Sequence, residues 1–124
     1  MISGLLDSNL TATTTSFEIT PDNIFVENGF LTEPALIENM AQTAAAGVGY
    51  QFSLKNEPVP PGFIGAIKNL EIKTWPQVGQ VLLTKVEVLQ EVFGVTLIKG
   101  NVQVDNETIA SCEMKIVLQT NEAS

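Results

Sequence analysis

Apolar residues between Glu33 and Tyr50 recur at helical spacing. Placed at 100° per residue, they share one broad face, the pattern of a helix packed on a core. That face comprises Leu36, Ile37, Met40, Ala41, Ala44 and Val48. The opposite side carries Glu38 and Gln42 among the small residues Ala35, Ala46 and Gly49, where a solvated helix would carry lysine, arginine and several acids. The sequence therefore predicts a helix covered on both faces, with Glu38 in a sparsely hydrated place where a carboxylate is a candidate for chemistry.

The start and the middle of this helix carry further signals. Thr32 is the predicted N-cap, and Glu33 and Pro34 suit the first turn, where an acid complements the helix dipole and a proline loses no needed hydrogen bond. Gly47 and Gly49 each cost a helix about 1 kcal/mol relative to alanine. Their presence indicates either tight packing of the helix on a sheet or a narrow channel beside it.

Outside the helix, the pattern is that of extended segments. From Leu10 to Ile19, β-branched threonines follow a period of two that places Thr13, Thr15, Phe17 and Ile19 on one side. The run Lys-Asn-Glu-Pro-Val-Pro-Pro-Gly at 55–62 excludes regular structure. The predicted strands are Ile2–Leu6, Leu10–Ile19, Phe63–Thr74, Val81–Val92, Val95–Val104 and Thr108–Gln119, with a short apolar segment at 24–26. Turns are predicted at Asn28-Gly29, 76–79, Phe93-Gly94 and Asp105-Asn106.

Most of these predicted strands are long, and long antiparallel strands twist and curl. Only one helix is available for such a sheet to wrap. The sequence therefore predicts an α+β fold in which a curled antiparallel sheet wraps one long central helix. The 124 residues suit a single domain spanning residues 1–124, because domains most often contain about 100 to 150 residues.

Composition excludes several classes of function. The formal net charge is −8, all six basic residues are lysines, and the chain contains no histidine. These values argue against a nucleic-acid binder, and the missing histidine removes Ser-His-Asp and Cys-His catalysis and most transition-metal sites. The acids are too scattered for a calcium loop, so neither a metal nor a cofactor is predicted. No apolar run approaches the roughly 20 residues of a membrane span, which predicts a cytoplasmic protein. Cys112, the single cysteine, is predicted to be a small buried residue.

The order of the elements and one motif resemble a known family. A strand, a short apolar turn, a helix with Leu36-Ile37-Glu38-Asn39-Met40-Ala41-Gln42, a Pro-Gly loop and four long strands together resemble the hot-dog fold. The helix motif is similar to the one that bears the catalytic acid of β-hydroxyacyl-acyl-carrier-protein dehydratases. The resemblance covers nearly the whole chain. The segment 28–34 resembles a divergent branch of that family associated with polyene-type pigment and lipid pathways.

The resemblance implies a role for Glu38 and reveals a missing partner. In the family, a histidine just before the helix handles the proton beside the thioester carbonyl. A helix carboxylate from the other subunit assists loss of the β-hydroxyl as water. By position, that carboxylate falls on Glu38, whereas the histidine falls on Phe30 or its neighbour Gly29. Because the chain has no histidine, no other position can supply the imidazole.

Three hypotheses about activity remain open at this point. The chain is a dehydratase or isomerase that relies on Glu38, with Asn28 or Gln42 positioning a hydroxyl or a water. Alternatively, it is a hot-dog thioesterase whose helix carboxylate activates water or attacks the thioester. In the third hypothesis, it is a non-catalytic acyl-binding or scaffold subunit paired with a histidine-bearing relative. Without the resemblance, Glu38 would be interpreted as a partly exposed residue bonded to Gln42 at i+4.

The resemblance also implies a ligand and a partner. The ligand is a (3R)-hydroxyacyl or other acyl chain carried on acyl carrier protein or coenzyme A, in fatty-acid or polyene-type lipid biosynthesis. A tunnel between helix and sheet is expected near Phe25, Phe30, Phe63, Ile64 and Ile67, with substrate contacts from Asn28, Gly29, Phe30, Gln42, Phe63, Ile64 and Gly65. An acidic carrier would be repelled unless Lys55, Lys68 and Lys73 form a positive patch. A homodimer formed edge to edge is the default expectation, and a heterodimer is the alternative.

Overall fold

The sheet and its helix follow the predicted architecture. The computed structural model describes residues 2, 4–8, 12–54, 56, 62–92 and 94–118. The strands are β1 (Gly4–Ser8), β2 (Ala12–Glu18), β3 (Val26–Glu27), β4 (Phe30–Leu31), β5 (Gly62–Ile72), β6 (Val81–Val92), β7 (Val95–Val104) and β8 (Glu107–Leu118). The helix is α1 (Glu33–Leu54).

Six strands form one antiparallel sheet in the order β1-β2-β6-β7-β8-β5. Helix α1 packs chiefly against β2, β6 and β7, and therefore covers one half of the sheet more than the half formed by β8 and β5. Strand β5 ends the sheet, so one of its edges has no partner strand within the described chain. One central helix on a curled antiparallel sheet is the predicted α+β fold, which is confirmed.

Most predicted boundaries are confirmed to within a few residues. The bounds of β6 and β7 are those predicted, and the turn between β7 and β8 places Asp105 and Asn106 at φ 51° and 67°, typical of a two-residue hairpin. The helix is longer than predicted and ends at Leu54 instead of Tyr50. The sequence has neither glycine nor proline between Tyr50 and Asn56, and Asn56 adopts a left-handed φ of 54° just beyond the helix. Of the predicted strand residues, Ser3, Leu10, Thr11 and Gln119 lie outside the described residues.

The buried face of α1 differs from the predicted apolar face. Leu36, Met40 and Ala44 are buried as expected, whereas Ile37, Ala41 and Val48 are only partly buried. Ala35, assigned by periodicity to the opposite side, is completely buried. The residues that complete the buried face are Asn39, Thr43 and Gly47, two of which are polar.

A buried chain of hydrogen bonds explains why polar residues occupy this face. The Thr84 hydroxyl on β6 donates to Asn39 Oδ1. The Thr43 hydroxyl donates to the Asn39 carbonyl at 2.8 Å and lies 2.7 Å from the Thr15 hydroxyl on β2. All four residues are completely buried. Directional bonds to two strands therefore set the rotation of the helix on the sheet, which small apolar residues alone define poorly.

Removing one member of the Asn39–Thr84 pair should destabilise the protein. Asn39→Leu leaves the buried Thr84 hydroxyl without its acceptor, at an expected cost of about 1–3 kcal/mol in the free energy of unfolding. Thr84→Val should cost a similar amount for the reciprocal reason. The double variant should lose less than the sum of the single losses, because both ends of the bond are then apolar. Urea unfolding of the four proteins measures this coupling, and strictly additive losses would contradict it.

The single cysteine behaves as predicted. Cys112 is buried, and its Sγ lies 3.7 Å from Met40 Sδ. Burial, with a smaller contribution from the Glu113 carboxylate, raises the pKa of the Cys112 thiol to about 11. The thiol is therefore protonated at neutral pH and is not a reactive nucleophile.

Candidate functional site

A short hairpin leads into the helix. Strands β3 and β4 pair antiparallel, and Asn28 and Gly29 join them with φ values of 52° and 82°. An Asn-Gly pair with positive φ at both positions is the preferred two-residue hairpin turn. The predicted turn is confirmed, whereas the two flanking strands were not predicted because each has only two residues.

Backbone hydrogen bonds fix this hairpin to the segment that follows β5. The Leu31 amide donates to the Pro76 carbonyl at 2.8 Å, and the Val78 amide donates to the Gly29 carbonyl at 3.0 Å. Phe30 lies opposite Gln77 in an antiparallel bridge. The hairpin is thus a fixed part of the sheet end and not an independent loop.

The helix begins where the hairpin ends. The Thr32 carbonyl accepts the first helical hydrogen bonds, from Ala35 at 3.1 Å and Leu36 at 3.2 Å, which is the backbone position expected of the N-cap. The Thr32 hydroxyl, however, donates to the Phe25 carbonyl at 2.9 Å. It therefore ties the helix start to the residue before β3.

An open cleft of about 450 Å³ lies beside this junction. Of the predicted substrate-contact residues, Asn28 and Phe30 line this cleft, and Gly29 lies in the turn between them. Glu27, Glu33 and Trp75 also line the cleft and were not predicted. Trp75 comes from a distant segment, so only the non-local pairing of residues 30–31 with 76–77 could have indicated it. The complete lining is Glu27, Asn28, Phe30, Leu31, Thr32, Glu33 and Trp75.

Glu38 and Gln42 form a hydrogen-bonded pair one turn apart on α1. Gln42 Nε2 donates to Glu38 Oε1 at 2.7 Å, and both side chains are half-buried. This is the i, i+4 bond that the residues alone suggested. The expected cover over Glu38 is incomplete within one chain, since the side chain keeps partial access to solvent. One carboxylate oxygen is held in place by the amide, and a half-open carboxylate can meet a ligand or a second chain.

The remaining predicted contacts lie on the edge strand β5. Ile64 and Gly65 are exposed, and the nearby Ile67 is also exposed. Phe63 lies opposite Val117 in the register of β5 and β8, and its side chain is outside the described residues. The predicted site residues therefore fall in three places: the cleft, the helix pair and the edge strand. They do not form one pocket within the described part of a single chain.

The predicted lysine patch is not assembled among the described residues. Lys68 lies opposite Glu113 in the register of β5 and β8, and Glu113 Oε2 also accepts a hydrogen bond from Asn69 Nδ2. Lys73 is exposed beyond the end of β5, and Lys55 lies outside the described residues. An acid next to Lys68 weakens any positive potential there.

The fold and the family match together define a hot-dog protein of the dehydratase-like class. The chain belongs to the ApeP-like family, whose model, described as ApeP dehydratase, matches residues 1–124. No curated protein sequence matches the chain. Nor does any helix in the ranges that the structure describes combine the length and apolarity needed to cross a membrane.

Solved structures show the same fold at low sequence identity. A chain of the dehydratase heterocomplex ApeI:P from Xenorhabdus doucetiae superposes with a TM-score of 0.89 at 13% identity, over 97% of this chain and 83% of that one. A hypothetical thioesterase from Streptococcus pneumoniae TIGR4, solved with coenzyme A, gives 0.76 at 8% identity, over 94% and 87% of the two chains. Smu.793 from Streptococcus mutans UA159, bound to acetyl CoA, gives 0.74 at 8% identity, over 93% and 86%.

Proposed function

We propose that this chain is one subunit of a two-chain dehydratase that acts on 3-hydroxyacyl thioesters. Glu38 supplies the helix carboxylate, and a histidine-bearing hot-dog partner supplies the base. In the reaction, the base removes the proton at C2, the C3–O bond breaks with Glu38 assisting, and the hydroxyl leaves as water to give a 2,3-enoyl thioester. Asn28 and Gln42 are proposed to position the substrate.

The observation that carries this proposal is the Glu38–Gln42 pair. An i, i+4 bond of this kind also occurs in helices where it only adds stability, so its weight here comes from the helix motif in which it stands, in a chain of the ApeP-like family. Glu38 is half-buried, its Oε1 accepts from Gln42 at 2.7 Å, and no lysine in the described ranges lies within salt-bridge distance of it. An amide that holds one oxygen leaves the second oxygen to face a reacting hydroxyl.

The edge of β5 that has no partner strand among the described residues supports the proposed partner chain. The edge strand has 11 residues, and its exposed side chains include Ile64 at 40% and Ile67 at 38%. A long edge strand with exposed apolar side chains is a template for pairing with another strand. Edge-to-edge pairing would bring a second hot-dog chain beside the half of the sheet that α1 covers least. The dehydratase heterocomplex ApeI:P has two kinds of chain, which supports a heterodimer for this chain as well.

The carrier of the acyl chain is proposed from neighbours alone. Two structural neighbours were solved with coenzyme A or acetyl CoA. Lys68, one of the lysines expected to attract an acidic carrier protein, lies opposite Glu113, which weakens the positive potential there. A coenzyme A thioester is therefore the first substrate to test, with acyl carrier protein as the second carrier and a role in fatty-acid or polyene-type lipid synthesis as the wider proposal.

Restoring the missing base tests the proposal. Phe30→His should give the chain dehydratase activity on 3-hydroxyacyl-CoA, at least 10²-fold above the wild-type chain alone, because a placed general base contributes about 10²–10⁴ in rate. The structure favours Phe30 over Gly29 as the position, since Gly29 has a φ of 82° that strains any other residue. Enoyl thioester formation is followed by ultraviolet absorbance, and thiol release is recorded in parallel to detect hydrolysis.

Two controls make this result decisive. Phe30→Leu changes the same side chain without adding a base and should stay at the wild-type rate. Phe30→His combined with Glu38→Gln should lose the gain. A folded, dimeric Phe30→His protein with no dehydration would overturn the assignment of that position, and thiol release in place of dehydration would favour a thioesterase.

A further inference from the structure

The cleft beside the hairpin combines two exposed aromatic rings with two carboxylates. Phe30 is 42% exposed and Trp75 is 44% exposed, although both are large side chains that proteins usually bury. Glu27 and Glu33 are exposed at the same cleft. No basic side chain is among the described residues that line it.

The backbone forces both rings outward. Phe30 lies opposite Gln77, and the Leu31 amide donates to the Pro76 carbonyl, so Trp75 occupies the diagonal position relative to Phe30. Diagonal neighbours on one face of an antiparallel pair are roughly 7–8 Å apart, within reach of aromatic side chains. Leu31 and Pro76 point to the other face, where both are buried. The two rings therefore share one outward surface and cannot enter this chain's own core.

The two acids are attached to the same frame. Glu27 is the cross-strand partner of Phe30 in the hairpin, and Glu33 is the first residue of α1. Glu33 also offsets the positive end of the helix dipole, which would otherwise repel a cation. The cleft is thus lined by two aromatic rings and two carboxylates.

This combination selects a cation with a flat, weakly hydrated head. A guanidinium group stacks on aromatic rings and offers several donors to carboxylates, whereas an ammonium is compact and strongly hydrated. A phosphate or an acidic carrier would meet two carboxylates on a chain of net charge −8. The cleft chemistry therefore favours arginine and disfavours the carrier end of a thioester.

The occupant cannot be a second copy of this chain, because all six basic residues are lysines and none is arginine. We propose that the cleft formed by Glu27, Phe30, Glu33 and Trp75 binds an arginine side chain of a different protein. The site is an interaction surface for a basic partner. This assignment does not depend on whether Glu38 catalyses dehydration.

The single tryptophan provides a direct probe of the cleft. The full chain is titrated with N-acetyl-arginine amide while the one indole N–H resonance, that of Trp75, is followed by NMR. We expect a saturable shift. N-acetyl-citrulline amide, the neutral analogue of the same shape, and N-acetyl-lysine amide should each bind at least about 5-fold more weakly. Raising the salt from 20 mM to about 500 mM should weaken arginine binding, because exposed charges are screened.

Matched variants test which carboxylates contribute to arginine binding. Glu27→Gln and Glu33→Gln should each weaken arginine binding about 3-fold or more, and Glu91→Gln, an equal change in charge at the far end of the sheet, should leave it unchanged. Glu38→Gln should bind the probe like wild type, which separates arginine binding from the role proposed for Glu38. Equal affinity for N-acetyl-citrulline amide would show that the cleft does not recognise a positive charge and is an apolar subsite. Tighter binding of N-acetyl-lysine amide would contradict the preference for arginine. The absence of any saturable shift would contradict the proposed site itself.

Discussion

Glu38→Gln is expected to lower the rate of dehydration by about 10²–10⁴ in any state of the protein that shows activity, either with its natural partner or as the Phe30→His variant. The glutamine has nearly the same shape but cannot carry the charge or transfer a proton to the leaving hydroxyl. Because Glu38 is half-buried and accepts its hydrogen bond from Gln42, the free energy of unfolding should change by less than about 1 kcal/mol. Initial rates of enoyl thioester formation measure the effect.

Two other variants show whether the loss is specific. Gln42→Met removes the amide that orients Glu38 but keeps the carboxylate, so it should cost much less than Glu38→Gln, about 10-fold. Glu91→Gln changes an exposed acid near the β6–β7 turn, at the opposite end of the sheet, and should leave the rate unchanged. A Glu38→Gln rate within 3-fold of the parent would show that Glu38 does not take part in the chemistry.

The sheet could be predicted closely because its determinants are local. Along β2 and the residue after it, the period of two correctly placed Thr13, Thr15, Phe17 and Ile19 on one side, and that side is the buried one. The bounds of β6 and β7 follow from Phe93-Gly94, Asp105-Asn106 and β-branched runs. Period-two patterns and turn residues act over a few positions, so a single sequence contains them.

The rotation of the helix could not be predicted in the same way. Periodicity assigned Ile37, Ala41 and Val48 to the core-facing side, and Ile37 and Ala41 do pack against the core, although only partly buried. The completely buried positions instead include Asn39 and Thr43. These two polar residues are buried only because Thr84 and Thr15 meet them from β6 and β2. Such pairs are far apart in the sequence and leave no periodic signal, so a hydrophobic pattern places them on the wrong side.

The candidate site was predictable only in part for a related reason. The helix motif indicated Glu38 and Gln42, and their bond at 2.7 Å joins residues four positions apart. The cleft, in contrast, depends on the antiparallel bridge between Phe30 and Gln77, which places Trp75 beside the hairpin. A site assembled from distant segments, and still more one shared with another chain, requires the register of the folded sheet.

Gly47→Ala should be the most destabilising methyl addition to the buried face of the helix. A Cβ at this position would overlap the Thr13 hydroxyl oxygen and lie 3.1 Å from Thr13 Cβ, so the tight-packing interpretation of Gly47 is the one that the structure supports. Overpacking costs about 1–3 kcal/mol and sometimes more, while alanine gains about 1 kcal/mol in helix propensity. The short Thr13 side chain cannot swing away without moving β2, so we expect a net loss of about 2 kcal/mol in urea unfolding.

Gly100→Ala is the matched comparison, because its Cβ would lie 2.6 Å from Met40 Sδ, the flexible end of a side chain that can change rotamer. It should therefore cost less than Gly47→Ala.

Shortening the Thr13 side chain should make room for the added methyl group. In a Thr13→Ala background, Gly47→Ala should lower the free energy of unfolding by less than half of its value in the wild type. Because Gly47 sets how closely α1 approaches β2, the single variant should also displace Glu38 and lower any dehydratase rate. Equal losses for Gly47→Ala with and without Thr13 would show that the close approach to β2 does not determine the need for glycine.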